Sequence, residues 1–188
     1  PDIVVTPSEI DFGEQRVKYE SSAKYEIGNK GNALLRIRSI EIVALEVEDP
    51  DSFIGLSGEA FSLGEIPEEV PVDEVAEGLV FFDPLVQGRF GCKIVIESDD
   101  ADSGRVEIPV YGTGGPPRIE AIPETVDFGI VNEGPGASRI IQLQNIGYDV
   151  LHINSIQIQG AAGFVADARV SPSAFSIIPE IETPLTLN

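Results

Sequence analysis

The chain has 188 residues, 42% of them hydrophobic, with 32 acidic residues against 12 basic ones and a formal net charge of −20. Such a length holds one large domain or two of ordinary size, and no apolar run is long enough to span a bilayer, so direct membrane insertion is not expected. The charge excludes nucleic acid as a partner, because phosphate contacts need clustered Lys and Arg, and it disfavours an anionic membrane surface for the same reason.

The opening "PDIVVTP" carries no basic segment followed by an apolar stretch, so no signal peptide is expected in it. From Ile10 to Gly31 the chain reads "IDFGEQRVKYESSAKYEIGNKG", and from Val126 to Gly147 it reads "VDFGIVNEGPGASRIIQLQNIG". The two phrases align at a constant offset of 116 residues. Pro7 maps to Pro123, Asp11-Phe12-Gly13 to Asp127-Phe128-Gly129, Asn29 and Gly31 to Asn145 and Gly147, and "SIEI" at 39–42 to "SIQI" at 155–158. Two tandem copies of one module follow from this.

Within each copy the apolar pattern has period two. Tyr25 and Ile27 face one way with Lys24 and Glu26 opposite, and Ile141 and Leu143 take the inward places in the second copy. After the Asn-x-Gly turn, Leu35 and Ile37 point in while Arg36 and Arg38 point out. The phase then slips, since Ile40 and Ile42 are the next apolar pair, and the second copy repeats the slip between Ile153 and Ile156. A bulge or a change of sheet near Ser39 and Ser155 is the expected cause.

Further along come "GLVFF" (78–82), "GRFGCKIVIES" (88–98) and "GRVEIPVYGTG" (104–114), strand-like runs bounded by Gly, Pro and Asp. Short strands with turn signals at this spacing predict an all-β, antiparallel sandwich, with Pro109 placing its strand at an edge or a bulge. Cys92, the single cysteine, shares alternation phase with Phe90, Ile94 and Ile96 and reads as a core residue. "GTGGPP" (112–117) divides the chain into modules 1–114 and 115–188, as a stiff spacer joint. The final "TPLTLN" falls where the first copy has "GLVFF", so the second module lacks its C-terminal strands. It is either a cut end of a longer array or a sandwich completed by an added strand, and its open edge makes self-association a second expectation.

The run "P…IDFG…Y.IGNKGNALLRIRSIEI…FFDP…G.F…IVIESDDAD…V.IPVYGTG" resembles the ASH domains, immunoglobulin-like repeats named for spindle-associated and Hydin proteins. It is especially similar to their bacterial relatives, the choice-of-anchor D repeats of secreted and surface proteins. The resemblance implies two tandem immunoglobulin-like sandwiches related to major sperm protein and PapD-like domains, non-catalytic, used in arrays, and without a shared active site. It implies an extracellular or cell-surface setting, with a cytoplasmic or ciliary scaffold as the alternative.

Three features are candidates for chemistry. His152, the only histidine, maps to the outward Arg36 and has no second His or Cys for a zinc site, and no nucleophile arrangement or phosphate-cradling loop is present, so an enzyme is not expected. Glu97, Asp99, Asp100 and Asp102 surround a turn, "ESDDADSG", whose oxygens suit calcium, although the pattern also makes an ordinary Asp-rich hairpin turn. No other cofactor is expected. Between Ala44 and Glu77 lie eleven acidic residues and no Lys or Arg, and loops that differ between repeats are where individual function sits. Phe53, Phe61, Glu65, Glu68 and Glu69 are the candidates there for binding a protein partner or a neighbouring repeat, against the alternative of a solvated insertion capping the sandwich. The expected role is a structural or adhesive module that spaces and presents loops.

Overall fold

The computed structural model describes residues 1–47, 49–56, 58–130, 137–158, 170–171, 175–179 and 182–187. The strands are β1 (Ile3–Thr6), β2 (Ile10–Gln15), β3 (Ser21–Asn29), β4 (Leu35–Ala44), β5 (Phe61–Leu63), β6 (Glu69–Val70), β7 (Val75–Phe82), β8 (Gly88–Ser98) and β9 (Arg105–Gly114). They continue with β10 (Ile119–Ile122), β11 (Arg139–Asn145), β12 (Leu151–Ile153), β13 (Val170–Ser171), β14 (Phe175–Ile177) and β15 (Glu182–Leu187). The chain divides into two compact units, Pro1–Gly115 and Pro116–Asn188.

Unit 1 is a two-sheet sandwich, ordered β1-β3-β7-β5 in one sheet and β2-β9-β8-β4-β6 in the other. Each strand turns alternate side chains inward, as the period-two pattern requires. Tyr25, Ile27, Val80 and Phe82 from the first sheet meet Leu35, Ile40, Cys92, Ile94, Ile96, Ile108 and Val110 from the second, and all are buried. Lys24, Glu26, Arg36 and Arg38 are exposed. The first strand is split: β1 pairs antiparallel with β3, and after Pro7 the chain crosses to the other sheet, where β2 pairs parallel with β9. One edge of each sheet is thereby covered in part by the N-terminal segment, β3 from Glu26 to Asn29 and β9 from Val110 onward.

The phase slip in β4 is a bulge. Ile37 lies opposite Ser98 and Ser39 opposite Glu97, so Arg38 is the extra residue. A change of sheet partner coincides with it, because Leu35 and Arg36 pair with β6 while the rest of β4 pairs with β8. Pro109 also finds the open side it needs. β2 joins β9 only from Val110 onward, so the strand is an edge at the proline.

The segment between β4 and β7 is not one solvated loop. It contains a 3-10 turn at Pro50–Ser52, then β5 on one sheet and β6 on the other. Strands of three and two residues are too short to show a period, which is why the sequence reads there as loop.

Unit 2 repeats the first sheet's pairing. β10 pairs with β11 and β11 with β15, as β1 pairs with β3 and β3 with β7. The register refines the repeat arithmetic. Ala23 faces Val80 and its equivalent Arg139 faces Leu187, so the offset is 116 on β3 (139 − 23) but 107 on β7 (187 − 80). The smaller offset already holds at Leu63, opposite Val80, since Val170 lies opposite Leu187. Unit 1 therefore carries nine extra residues (116 − 107) between "SIEI" at 39–42 and β5. β15, Glu182–Leu187, occupies the place of β7. A small core of Leu143 and Ile177, with Ala121, Ile141, Leu151 and Ile156 against it, lies under these strands.

Candidate interaction site

The carboxylates of the 97–104 turn have separate duties. Asp100 is buried, and its Oδ2 accepts a hydrogen bond from the backbone N–H of Ile3 at 2.8 Å, pinning β1. Its Oδ1 accepts from the Asp102 N–H at 3.1 Å. The Ile3 N–H, then those of Asp102 and Ser103, hold the Asp100 carboxyl below its ordinary range. Asp99 accepts from the Arg36 N–H at 2.8 Å, and Glu97 pairs with Arg105, directly opposite it on β9, at 3.1 Å. Asp102 is exposed. Among the described residues no three His, Cys, Asp or Glu side chains are grouped to hold a metal ion. Glu97, Asp99 and Asp100 are each engaged with a neighbouring strand, while the Asp102 side chain is exposed.

The five partner-binding candidates are also dispersed. Phe61 is a correction: it is buried, stacked on Phe82 at 4.8 Å and near Phe12 at 6.3 Å, because β5 pairs with β7 and turns it into the core. Phe53 is half-buried on the outer side of the second sheet against Tyr111, with the Arg89 guanidinium 4.6 Å from its ring centre. Glu65, Glu68 and Glu69 are exposed. Glu69 lies opposite Arg36 at the start of β4, whereas Phe53 reaches Gly91 near that strand's other end. Eight residues of strand (44 − 36) separate Arg36 from Ala44, about 26 Å. The second copy's equivalent loop, 159–180, lies mostly outside the described residues.

Cys92 is fully buried, and burial pushes its thiol pKa up to about 12. His152 is exposed and its Nδ1 shares a hydrogen bond with Ser176 Oγ at 2.8 Å, across the β12–β14 pair.

The structure also places a site that the sequence reading missed. Phe12, Phe61, Phe82 and Phe90 form a run of ring contacts at one end of unit 1, with centroid spacings of 5.4 Å (Phe12–Phe82), 4.8 Å and 5.8 Å (Phe82–Phe90). Against this floor lies a pocket of about 220 Å³. Phe61, Phe90, Ala60, Gly55 and Gly58 line it, with Ile54, Leu85 and Val86 as its apolar walls and Glu59 and Asp83 also on it. Backbone bonds hold the surrounding loops in place: Ile54 N–H to Arg89 O (2.7 Å), Phe61 N–H to Gly58 O (2.8 Å), Asp83 N–H to Ala60 O (2.9 Å) and Lys18 N–H to Pro84 O (2.7 Å). Ile54, Leu85 and Val86 are 58%, 64% and 52% exposed, an unusual concentration of large apolar side chains on two loops. The nine extra residues of unit 1 belong to the stretch that includes this pocket's first wall. The available sequence signal was "FFDPLVQG", in which an apolar pair sits at a turn where polar residues are the rule.

Residues 1–113 match the family described as HYDIN/CFA65/VesB-like, Ig-like domain. No curated protein sequence matches the chain. Among solved structures it is similar to the ASH / PapD-like domain 7 of human CEP192, at 13% identity and a TM-score of 0.50, over 60% of this chain and 84% of that one. It is also similar to a protein of unknown function from Porphyromonas gingivalis W83 (14% identity, TM-score 0.41, 100% of this chain and 82% of that one). A third is the secreted serine protease VesC from Vibrio cholerae (11% identity, TM-score 0.45), where 100% of this chain covers 44% of that one. At 13% identity the likeness to the human domain is one of fold alone. The chain belongs to the HYDIN/CFA65/VesB-like, Ig-like domain family, the ASH type that its sequence resembles.

Proposed function

We propose that the chain is a non-catalytic structural and protein-interaction module of a bacterial secreted or surface protein, built from tandem Ig-like domains of which unit 2 is the second. The observation that carries this reading is a buried asparagine clasp made twice. Asn29 donates to the Ala33 and Val70 carbonyls at 2.7 and 3.0 Å and accepts from the Gly31 and Asp2 N–H groups at 3.1 and 3.2 Å. Asn145 makes the same four bonds, to the Asp149 and Ile177 carbonyls at 2.7 and 3.0 Å and from Gly147 and Arg118 at 3.0 and 3.2 Å. In both copies the glycine is needed for close approach: a Cβ on Gly31 or Gly147 would lie 2.6 or 2.3 Å from backbone atoms of the incoming strand. The sequence reproduces a scaffold in detail while varying the stretch that borders the pocket, which is the economy of a repeat that presents different surfaces on one frame.

The bacterial surface setting rests on the likeness of "GNALLRI" and "ESDDAD" to the bacterial repeats, with a cytoskeletal or ciliary scaffold as the alternative. The test is location. Antibodies raised against this chain should find its parent protein in the medium, or on intact cells where external protease removes it. Detection only inside the cell would replace this reading with the scaffold.

A further inference from the structure

We infer that the apolar pocket at the end of unit 1 receives one large hydrophobic side chain from a protein segment that carries Lys or Arg on either side of it. The inference rests on the interaction role proposed above and names the partner's chemistry. Three observations carry it. First, about 220 Å³ falls below the range of roughly 300–1,000 Å³ usual for sites that enclose a whole small molecule, and suits a single anchoring side chain. Second, the pocket is already formed: backbone hydrogen bonds brace the residues around it, and Phe61 and Phe90, both in contact with Phe82, lie on its floor. Its walls Ile54, Leu85 and Val86 are more than half exposed, and an anchor seated among them would remove that apolar surface from water.

The third observation is charge. Glu59 and Asp83 lie on the pocket, both exposed, and among the described residues neither meets a Lys or Arg. Arg89 lies over Phe53 and Tyr111 and Arg16 over Tyr19, and Lys18 is tied to Pro84 through its backbone N–H; all three keep their charge, but none of them lines the pocket, whose only charged lining residues are the two carboxylates. With a chain charge of −20 behind them, these carboxylates favour a cationic segment and repel an acidic one.

The test is a titration of the isotope-labelled 188-residue chain, followed by backbone amide shifts. The probe is a synthetic peptide with a central leucine flanked by two lysines on each side. Shifts should concentrate at residues 54–60 and 83–90. Affinity should fall at least about tenfold, or 1.4 kcal/mol, when the leucine is replaced by serine, and again with the protein variant Glu59→Lys/Asp83→Lys. That variant should instead take a peptide with glutamates in place of lysines. Leu85→Ser/Val86→Ser should abolish the response while leaving amide shifts elsewhere unchanged, which shows that the fold survives. Equal binding of the leucine and serine peptides would overturn the pocket. Binding indifferent to the Glu59 and Asp83 charges would overturn the basic partner. A concentration-dependent dimer of the free chain, abolished by Leu85→Ser/Val86→Ser, would make a second copy the occupant. The surface location tested above stands or falls separately, since peptide binding does not depend on where the protein resides.

Discussion

The two units build the same front half under different circumstances, and the contrast separates what is encoded locally from what is supplied by distant strands. The Asp-Phe-Gly turn is local. Gly13 and Gly129 have φ of 64° and 61°, and their N–H groups donate to Asp11 and Asp127 Oδ1 at 2.8 and 2.7 Å. In unit 1 this turn sits as a bulge in a strand paired with β9; among the described residues of unit 2 there is no such strand, yet the turn is unchanged. The Asn clasp is also complete in both. The start of the first strand differs: Ile3 is 7% exposed and held by Asp100, while its equivalent Ile119 is 54% exposed. So does the long strand after the clasp. β4 continues to Ala44 against β8, whereas β12 stops at Ile153, and residues 155–158, identical in pattern to 39–42, form no strand; among the described residues of unit 2 no equivalent of β8 lies beside them. Sequence pattern alone does not make a strand; its neighbour does.

The largest effect should come from breaking the clasp. Asn29→Ala removes four hydrogen bonds, one of them to the buried Val70 carbonyl, and should destabilise unit 1 by roughly 2–4 kcal/mol. Cys92 makes a convenient reporter, because it is the only cysteine and its buried thiol reacts only when unit 1 opens. Labelling of Asn29→Ala by a thiol reagent in urea should therefore begin at much lower denaturant. Asn145→Ala should remove hydrogen-exchange protection from β11 and leave Cys92 labelling as it was. Equal sensitivity of Cys92 to both variants would break the distinction between the units.

A smaller and more even effect is expected at the turn glycines. A Cβ at Gly13 or Gly129 meets nothing within 4 Å, so Gly→Ala there tests backbone conformation alone. Each should cost about 1–2 kcal/mol, the price of a left-handed alanine. The Gly13 value is checked by urea unfolding and the Gly129 value by exchange at β10 and β11. A much larger cost at Gly13 would show that the β2–β9 pairing, not the local turn, fixes the geometry.

How much of this could be read from the sequence follows the same division. Period-two runs gave the inward sets Tyr25/Ile27 and Leu35/Ile37, and the slip at Ser39 was legible because both copies repeat it. The Asn-x-Gly turn was visible as a turn, but not as a clasp, since two of its partners, Asp2 and Val70, are 27 and 41 residues away. The acidic turn at 97–104 shows carboxylates without showing that Asp100 points at Ile3. Phe61 was misplaced because β5 is three residues long, and the pocket was invisible because its walls come from two loops brought together only by folding.

Tyr25 sharpens the comparison at a smaller scale. It faces Gly78 across the first sheet, and a Cβ on Gly78 would lie 2.2 Å from the tyrosine ring; in unit 2 the same register pairs Ile141 with Leu185. A large–small pair has been exchanged for two middle-sized residues at a matching place. The Tyr25 hydroxyl is buried with no hydrogen-bond partner among the described residues, and burial raises its pKa. Tyr25→Phe should therefore leave stability unchanged or raise it by up to about 1 kcal/mol, read from the urea midpoint. A marked loss would mean that the hydroxyl has a partner, such as a buried water.

The smallest effect at neutral pH, and the most specific to unit 1, is the titration of Asp100. Its carboxyl is held below the ordinary aspartate value of 3.8, chiefly by the Ile3 N–H, so the folded state prefers the charged form. The resulting stability is fully present above that value and fades as the pH falls below it through the lowered folded value. Cys92 labelling is too slow at such pH, so the measurement is hydrogen exchange of β1 and β3 between pH 5 and 2.5. Protection of β1 should fall with acid in the wild type, and less in Asp100→Asn, whose side chain does not titrate. β10 of unit 2, among whose described neighbours no such aspartate stands, should not follow. Calcium and chelator should leave the same readout unmoved, because among the described residues no three acidic side chains are grouped to hold a cation. A calcium-dependent gain confined to β1 and the 97–104 turn would instead restore the turn as a metal site, and would make the pinning of Ile3 a consequence of the apo state.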